Sequence, residues 1–285
     1  MTKNNVHGNV TRLLQSIQSV SQIEIKEKTH LKSVIFSILK FVKRFLYPVQ
    51  ILKFINKGIR SVAAATHQLQ FLAEWGVANP EYFDHEIDIY SHWRKSRNSL
   101  PLERGVWSSF ALKGAGTTLD LCCGDGFYTK MFYSLRSETV VGVDFDREAI
   151  FWAKANHAAP NVSYIVGDIR FDIPDGPFDN VVWDAAVEHF TESEISALMS
   201  RIKAVMKTNG VLSGYTVKEP EHGGTHLHQH EYEFHDKEDL ARFFEPYFKN
   251  VQVFETVYPT RTNLYFYATD VTLPFDGQSA LTIRK

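Results

Sequence analysis

Four aspartates each close a short apolar run: Leu119-Asp120, Val143-Asp144, Gly167-Asp168 and Trp183-Asp184. Behind the first comes a turn with two glycines, Cys122-Cys123-Gly124-Asp125-Gly126. Glycines at 124 and 126 let a backbone come close to a ligand. A carboxylate can accept two hydroxyl hydrogen bonds from a ribose, the role expected of Asp144. Phe145, next to it, offers a flat face to an adenine ring. Asp168, followed by Ile169, can accept from the adenine amino group. One aspartate at a strand end is unremarkable, because Asp also caps helices. Four in succession, behind a glycine turn, are hard to place by accident.

The elements that must position them follow from the apolar patterning. After Gly116 short strand-like runs alternate with helical patterns. Strands are expected at 117–122, 139–145, 162–166, 178–184 and 211–217, and helices at 128–135, 147–156 and 192–206. Such alternation implies a doubly wound α/β fold, a parallel sheet with helices on both faces. The tail differs: a helix at 237–247 precedes two strands, 251–256 and 264–269, with no helix between them, so these two should pair antiparallel. Ligands of open α/β sheets bind beyond the carboxyl ends of the strands, near the point where strand order reverses. All four aspartates are delivered to that rim.

A nicotinamide dinucleotide fits poorly. Its turn wants a third glycine, Gly-x-Gly-x-x-Gly, and the position three after Gly126 is Thr129. Asp120 and Asp125 would also repel a pyrophosphate.

The series instead resembles the class I S-adenosylmethionine-dependent methyltransferases, whose first motif runs acidic-x-Gly-x-Gly-x-Gly. The resemblance covers about residues 111–270. It implies a Rossmann-like, seven-stranded, mostly parallel sheet with the last strand antiparallel. It implies S-adenosyl-L-methionine as cofactor, held by Asp120, Cys122, Gly124, Gly126, Asp144, Phe145, Asp168, Ile169, Asp184 and Ala185. Asp120 and the glycine turn would face the amino-acid end of that cofactor, whose sulfonium and ammonium suit acidic surroundings. One position departs from the motif: Cys122 stands where the first glycine belongs. Past the fourth strand the Glu188-His189 pair is also of this superfamily's kind.

The methyl acceptor is less constrained. Base-amino methyltransferases often carry Asp/Asn-Pro-Pro-aromatic after strand four, and this chain has Asp184-Ala185-Ala186-Val187. No nucleic-acid partner is expected. His189 is a possible general base near the transferred methyl, or a structural histidine at a helix start. Past strand five lie His222, His226, His228, His230 and His235. These could shape the acceptor site, with His228 the tentative second catalytic residue, could ligate a metal through 226, 228 and 230, or could form a polar loop; the reading adopted carries no metal. The expected reaction is O-methylation of a small-molecule, saccharide or lipid-linked acceptor. A protein methyltransferase and a non-catalytic cofactor-binding module are the alternatives.

The chain has 285 residues and a net charge of −2, unevenly spread. Residues 1–60 hold 11 Lys/Arg against two acidic residues, Glu24 and Glu27. Apolar residues recur at three- and four-residue steps from Leu31, and lysines populate the other side. This predicts a basic amphipathic helical extension over 1–72, interrupted at Pro48, preceding a catalytic domain over 73–285. Residues 31–60 are a candidate contact for an anionic membrane surface. Charges interrupt every long apolar run, so no spanning helix is expected. The N-terminus lacks a secretory signal pattern, and the two cysteines are adjacent. The expected location is cytoplasmic, peripheral on the membrane face where the extension docks.

Overall fold

The computed structural model describes residues 35, 37, 49–75, 100–220, 229–258 and 261–273. The chain divides into two compact units, Met1–Leu72 and Ala73–Lys285. Helix α1 spans Val49–Trp75, most of it in the first unit. Ile51, Phe54, Ile55 and Ile59 are exposed on it, as are Lys53, Lys57 and Arg60. Among the described residues no helix is long and apolar enough to cross a membrane. Most of the apolar steps expected before Pro48 lie outside the described residues.

The second unit is built on a seven-stranded sheet. Its elements run α2 (Leu100–Phe110), β1 (Gly116–Leu121), α3 (Phe127–Met131), β2 (Ser137–Asp144), α4 (Arg147–Asn156), β3 (Val162–Val166), β4 (Phe178–Asp184), α5 (Glu192–Val205), β5 (Met206–Val217), α6 (Lys237–Ala241), β6 (Asn250–Tyr258) and β7 (Arg261–Thr269). Strand order is β3-β2-β1-β4-β5-β7-β6. β1 to β5 run parallel to one another, and β7 lies antiparallel between β5 and β6. The expected doubly wound sheet with an antiparallel last strand is the one observed. The helix expected over 237–247 is regular only to Ala241, and turns carry the chain on to Tyr247.

Local chemistry explains the boundaries. Thr191 starts α5 with a reciprocal capping box to Glu194. Ile195, Leu198, Met199 and Ile202 then fall on one stripe and are buried. They pack with Leu119, Leu121, Val181 and Trp183, the apolar face of β1 and β4. Asp146 caps α4 by accepting from the N–H groups of Glu148 and Ala149.

The opposite face of the central strands is polar and buried. Thr118 pairs with Asn180 and Asp120 with Val182 across β1 and β4. Asp184 then pairs with Tyr215 on β5, and Tyr215 with Tyr265 on β7. α2 covers this face through hydrogen bonds. Ser213 Oγ donates to the Ser108 carbonyl (3.0 Å), Tyr267 hydroxyl to the Trp107 carbonyl (2.7 Å), and Lys113 N–H to Asn180 Oδ1 (2.7 Å). Glu103 accepts from Tyr265 (2.9 Å), Thr256 and Tyr258. Buried polar groups are tolerated here because partners replace the lost water.

Candidate active site at the carboxyl ends of the strands

Strand order reverses between β1 and β4, so a crevice opens beyond their carboxyl ends. Both strands leave the sheet through a left-handed residue, Cys122 (φ 58°) after β1 and Ala185 (φ 52°) after β4. Such backbone is costly for residues with a Cβ and is retained where the surroundings over-determine it. Gly124 (φ 54°) and Gly126 (φ 75°) complete the first turn. Gly126 is also fixed by packing: a Cβ there would lie 2.5 Å from the Tyr164 hydroxyl oxygen.

Asp144 sits at the end of β2 and is 7% exposed. Its Oδ2 accepts from the Gly124 N–H and its Oδ1 from the Asp146 N–H, both at 2.9 Å. Two backbone N–H donors thus hold the carboxylate in place at the end of β2. Phe145 beside it is 58% exposed. A fixed acceptor next to an open aromatic face suits a nucleoside.

Asp120 is buried beneath the turn, and Thr129 Oγ1 donates to its Oδ2 at 2.6 Å. Burial pushes its carboxyl up to about 8; the Thr129 hydrogen bond opposes this, and the neighbouring charges of Asp184 and Asp144 add to it. Burial, with carboxylates nearby, also pushes both the Cys122 and Cys123 thiols well upward. These thiols are therefore poor nucleophiles. Asp125 Oδ1 accepts from the Phe127 N–H (3.0 Å) just ahead of α3.

The other two aspartates are engaged by the protein itself. Asp184 accepts from Arg104 Nε (2.5 Å), Ser108 Oγ (3.0 Å) and the Tyr133 hydroxyl (2.9 Å). Burial raises its pKa, and Arg104, Tyr133 and Ser108 pull it back. The Arg104 guanidinium also lies 4.1 Å from the Tyr128 ring centroid. The Asp184 carboxylate, expected among the cofactor contacts, ties α2 to the sheet. Asp168 is clamped by Arg170 through Nε and Nη2, and this holds its pKa below the usual carboxylate range. Ile169 beside it is 2% exposed and belongs to the core under the sheet.

The Glu-His pair occupies a single 3-10 turn, Val187–His189, after β4. The backbone N–H groups of Glu231 and Tyr232 donate to the Glu188 carbonyl (2.9 and 3.1 Å). This draws the segment after β5 over the turn and brings His230 against His189, ring centroids 5.0 Å apart and edge to face. His189 Nδ1 lies 3.3 Å from the Gln229 carbonyl oxygen. His235 pairs instead with Glu219. His222, His226 and His228 lie outside the described residues.

The sequence reading missed Arg104, Ser108, Tyr133 and the His189–His230 contact. Thr129 reaches Asp120 from α3, across the glycine turn that separates them. α2 has no motif to announce it.

The profile of a family described as "Methyltransferase domain" matches residues 118–210. Over 120 residues the chain is 32% identical to a ribosomal protein L11 methyltransferase of Neisseria meningitidis serogroup B. That alignment covers 41% of this chain and 39% of the relative, so the chain spans about two fifths of that protein's length. Among solved structures, a complex of DhpI with SAH is 16% identical (TM-score 0.48, 74% of this chain and 95% of that one). YcgJ of Bacillus subtilis is 14% identical (TM-score 0.49, 59% and 98%). S-adenosylmethionine is the cofactor that goes with this family, and the anchored Asp144 beside the open Phe145 ring suits its adenosine. The profile runs from β1 into β5 of a sheet ordered 3-2-1-4-5-7-6, so residues 118–210 carry a methyltransferase domain on a Rossmann-like α/β fold.

Proposed function

We propose that this chain transfers a methyl group from S-adenosylmethionine to a hydroxyl oxygen of a small-molecule, saccharide or lipid-linked acceptor. The observation that carries the cofactor half is Asp144, pinned by the Gly124 and Asp146 N–H groups beside the exposed Phe145 ring. In that reading Asp144 takes the ribose hydroxyls, Phe145 stacks on the adenine, and the turn from Asp120 to Gly126 receives the amino-acid end. The cofactor supplies a methyl group already activated by its sulfonium, so the protein contributes chiefly alignment. The acceptor oxygen forms its bond to carbon as the carbon–sulfur bond breaks, and sulfur keeps the electron pair.

A hydroxyl acceptor also loses a proton. Glu188, His189 and His230 supply groups able to manage it beyond the carboxyl ends of β4 and β5. The Arg104–Asp184 pair acts through position, holding α2 over the sheet. The basic segment 31–60 is read as a contact for anionic membrane, supported on α1 by Lys53, Lys57 and Arg60 among exposed Ile51, Phe54, Ile55 and Ile59. The name of the Neisseria relative favours a second reading, methylation of a protein.

Transfer of labelled methyl to a lysate, split into protein, lipid and glycan fractions, separates these. Label in the glycan, lipid or small-molecule fraction, stable to base, supports O-methylation. Label confined to protein overturns it, and label nowhere, with cofactor bound, leaves a binding module. Vesicle flotation tests the membrane contact. Equal recovery of the full chain and a chain lacking residues 1–60 with anionic vesicles would remove it.

A further inference from the structure

The three side chains just past β4 and β5 make a ligand set. Glu188, His189 and His230 each offer one ligand atom, and those atoms lie within 4.8 Å of one another. Two imidazoles and one carboxylate are the donors of open divalent metal sites, which leave further positions for water or substrate. Ligand atoms around one zinc ion sit about 3.3 Å apart, from bond lengths near 2.0–2.1 Å. The cluster needs only small side-chain adjustments to close on an ion.

The surrounding groups favour the same reading. His230 Nδ1 is 2.6 Å from Glu233 Oε1, and both side chains are almost fully buried, 3% and 4% exposed. An imidazole that donates its Nδ1–H to a carboxylate presents Nε2 as a lone pair, the arrangement that orients metal-bound histidines. His189 has the Gln229 carbonyl at its Nδ1, which fixes the same tautomer. Thr216 Oγ1 donates to Glu188 Oε2 at 2.9 Å and so steadies the carboxylate. Each candidate ligand thus has its own supporting partner, drawn from β5 and from the segment that follows it.

We infer that Glu188, His189 and His230 bind one divalent transition-metal ion, with Glu233, Gln229 and Thr216 orienting them. This goes beyond the metal-free reading of the sequence. It also deepens the proposed O-methyl transfer and rests on it for the ion's purpose: the open positions would take a hydroxyl of the acceptor and make its proton easier to lose. Binding of the metal itself does not depend on that transfer.

The test uses the full chain, free of an added histidine tag, stripped with chelator and titrated with Co2+ alone. The expected result is one equivalent bound with a visible absorption band, displaced by Zn2+. The double substitution His189→Gln with His230→Gln should abolish that band. Glu233→Gln should weaken Co2+ by about 10–100-fold, as loss of an orienting partner does. S-adenosylhomocysteine titrated into the same proteins reports folding and the cofactor site separately. Its affinity should be unchanged in the double variant. No Co2+ or Zn2+ binding by a chain that still binds S-adenosylhomocysteine overturns the metal site and leaves the methyltransferase reading standing. So does equal binding by the double variant, which would place the ion elsewhere. Metal binding without S-adenosylhomocysteine binding upholds the site and overturns the proposed function.

Discussion

Replacing Asp120 by asparagine should make the protein's stability less sensitive to pH. The carboxyl is buried under the glycine turn, and burial pushes it from 3.8 to about 8. Between those values the folded chain keeps a proton that the unfolded chain has released. Stability therefore falls as pH rises through that window. One proton corresponds to about 1.4 kcal/mol per pH unit, so Asp120 should remove about 3 kcal/mol between pH 5 and pH 7. Asparagine is neutral throughout and can still accept from the Thr129 hydroxyl. Urea unfolding followed by tryptophan fluorescence at pH 5, 6 and 7 measures both proteins. The difference between them should shift in favour of Asp120→Asn by that amount, other titrating groups cancelling. Parallel profiles would refute the reasoning, since they would mean that Asp120 is ionised in the folded chain. A related readout is S-adenosylhomocysteine affinity. If the ligand's ammonium ionises Asp120, affinity in the parent chain should rise with pH below 8 more steeply than in the variant.

The remaining expectations concern single positions. Arg104→Met leaves the buried Asp184 without its cation and should cost about 3–5 kcal/mol, read as a lower urea midpoint; Arg104→Lys should not restore it, because lysine cannot supply the forked contact to the Asp184 side chain and carbonyl. Cys122→Gly should stabilise by about 1 kcal/mol, since Cys122 holds φ 58° and glycine adopts that backbone without penalty. Phe145→Ala should weaken S-adenosylhomocysteine by about 1–3 kcal/mol in calorimetry, the range for losing one base-stacking aromatic ring. Because Phe145 is 58% exposed, its thermal midpoint should barely move.

The order of strands and helices was legible because period-two and period-3.6 apolar patterns report burial directly. Leu119, Leu121, Val181 and Trp183 had to face a core, and Ile195, Leu198, Met199 and Ile202 had to face it from a helix. The antiparallel tail was legible because too little chain joins β6 to β7 for a crossover. The glycine turn and Asp144 were legible because φ above zero and a fixed acceptor restrict residue type. What each aspartate bonds to was decided only in three dimensions. Asp168 and Asp184 look like Asp144 in sequence, but Arg170 clamps the first, and Arg104, Ser108 and Tyr133 together hold the second. Arg104 reaches Asp184 across 80 positions, and no local pattern encodes such a pairing. The same holds for His189 and His230, which meet because two backbone N–H groups after β5 bond to the Glu188 carbonyl. Residue spacing carries information about one helix turn or one strand pleat; contacts between distant loops arise only once the sheet has brought its strand ends together.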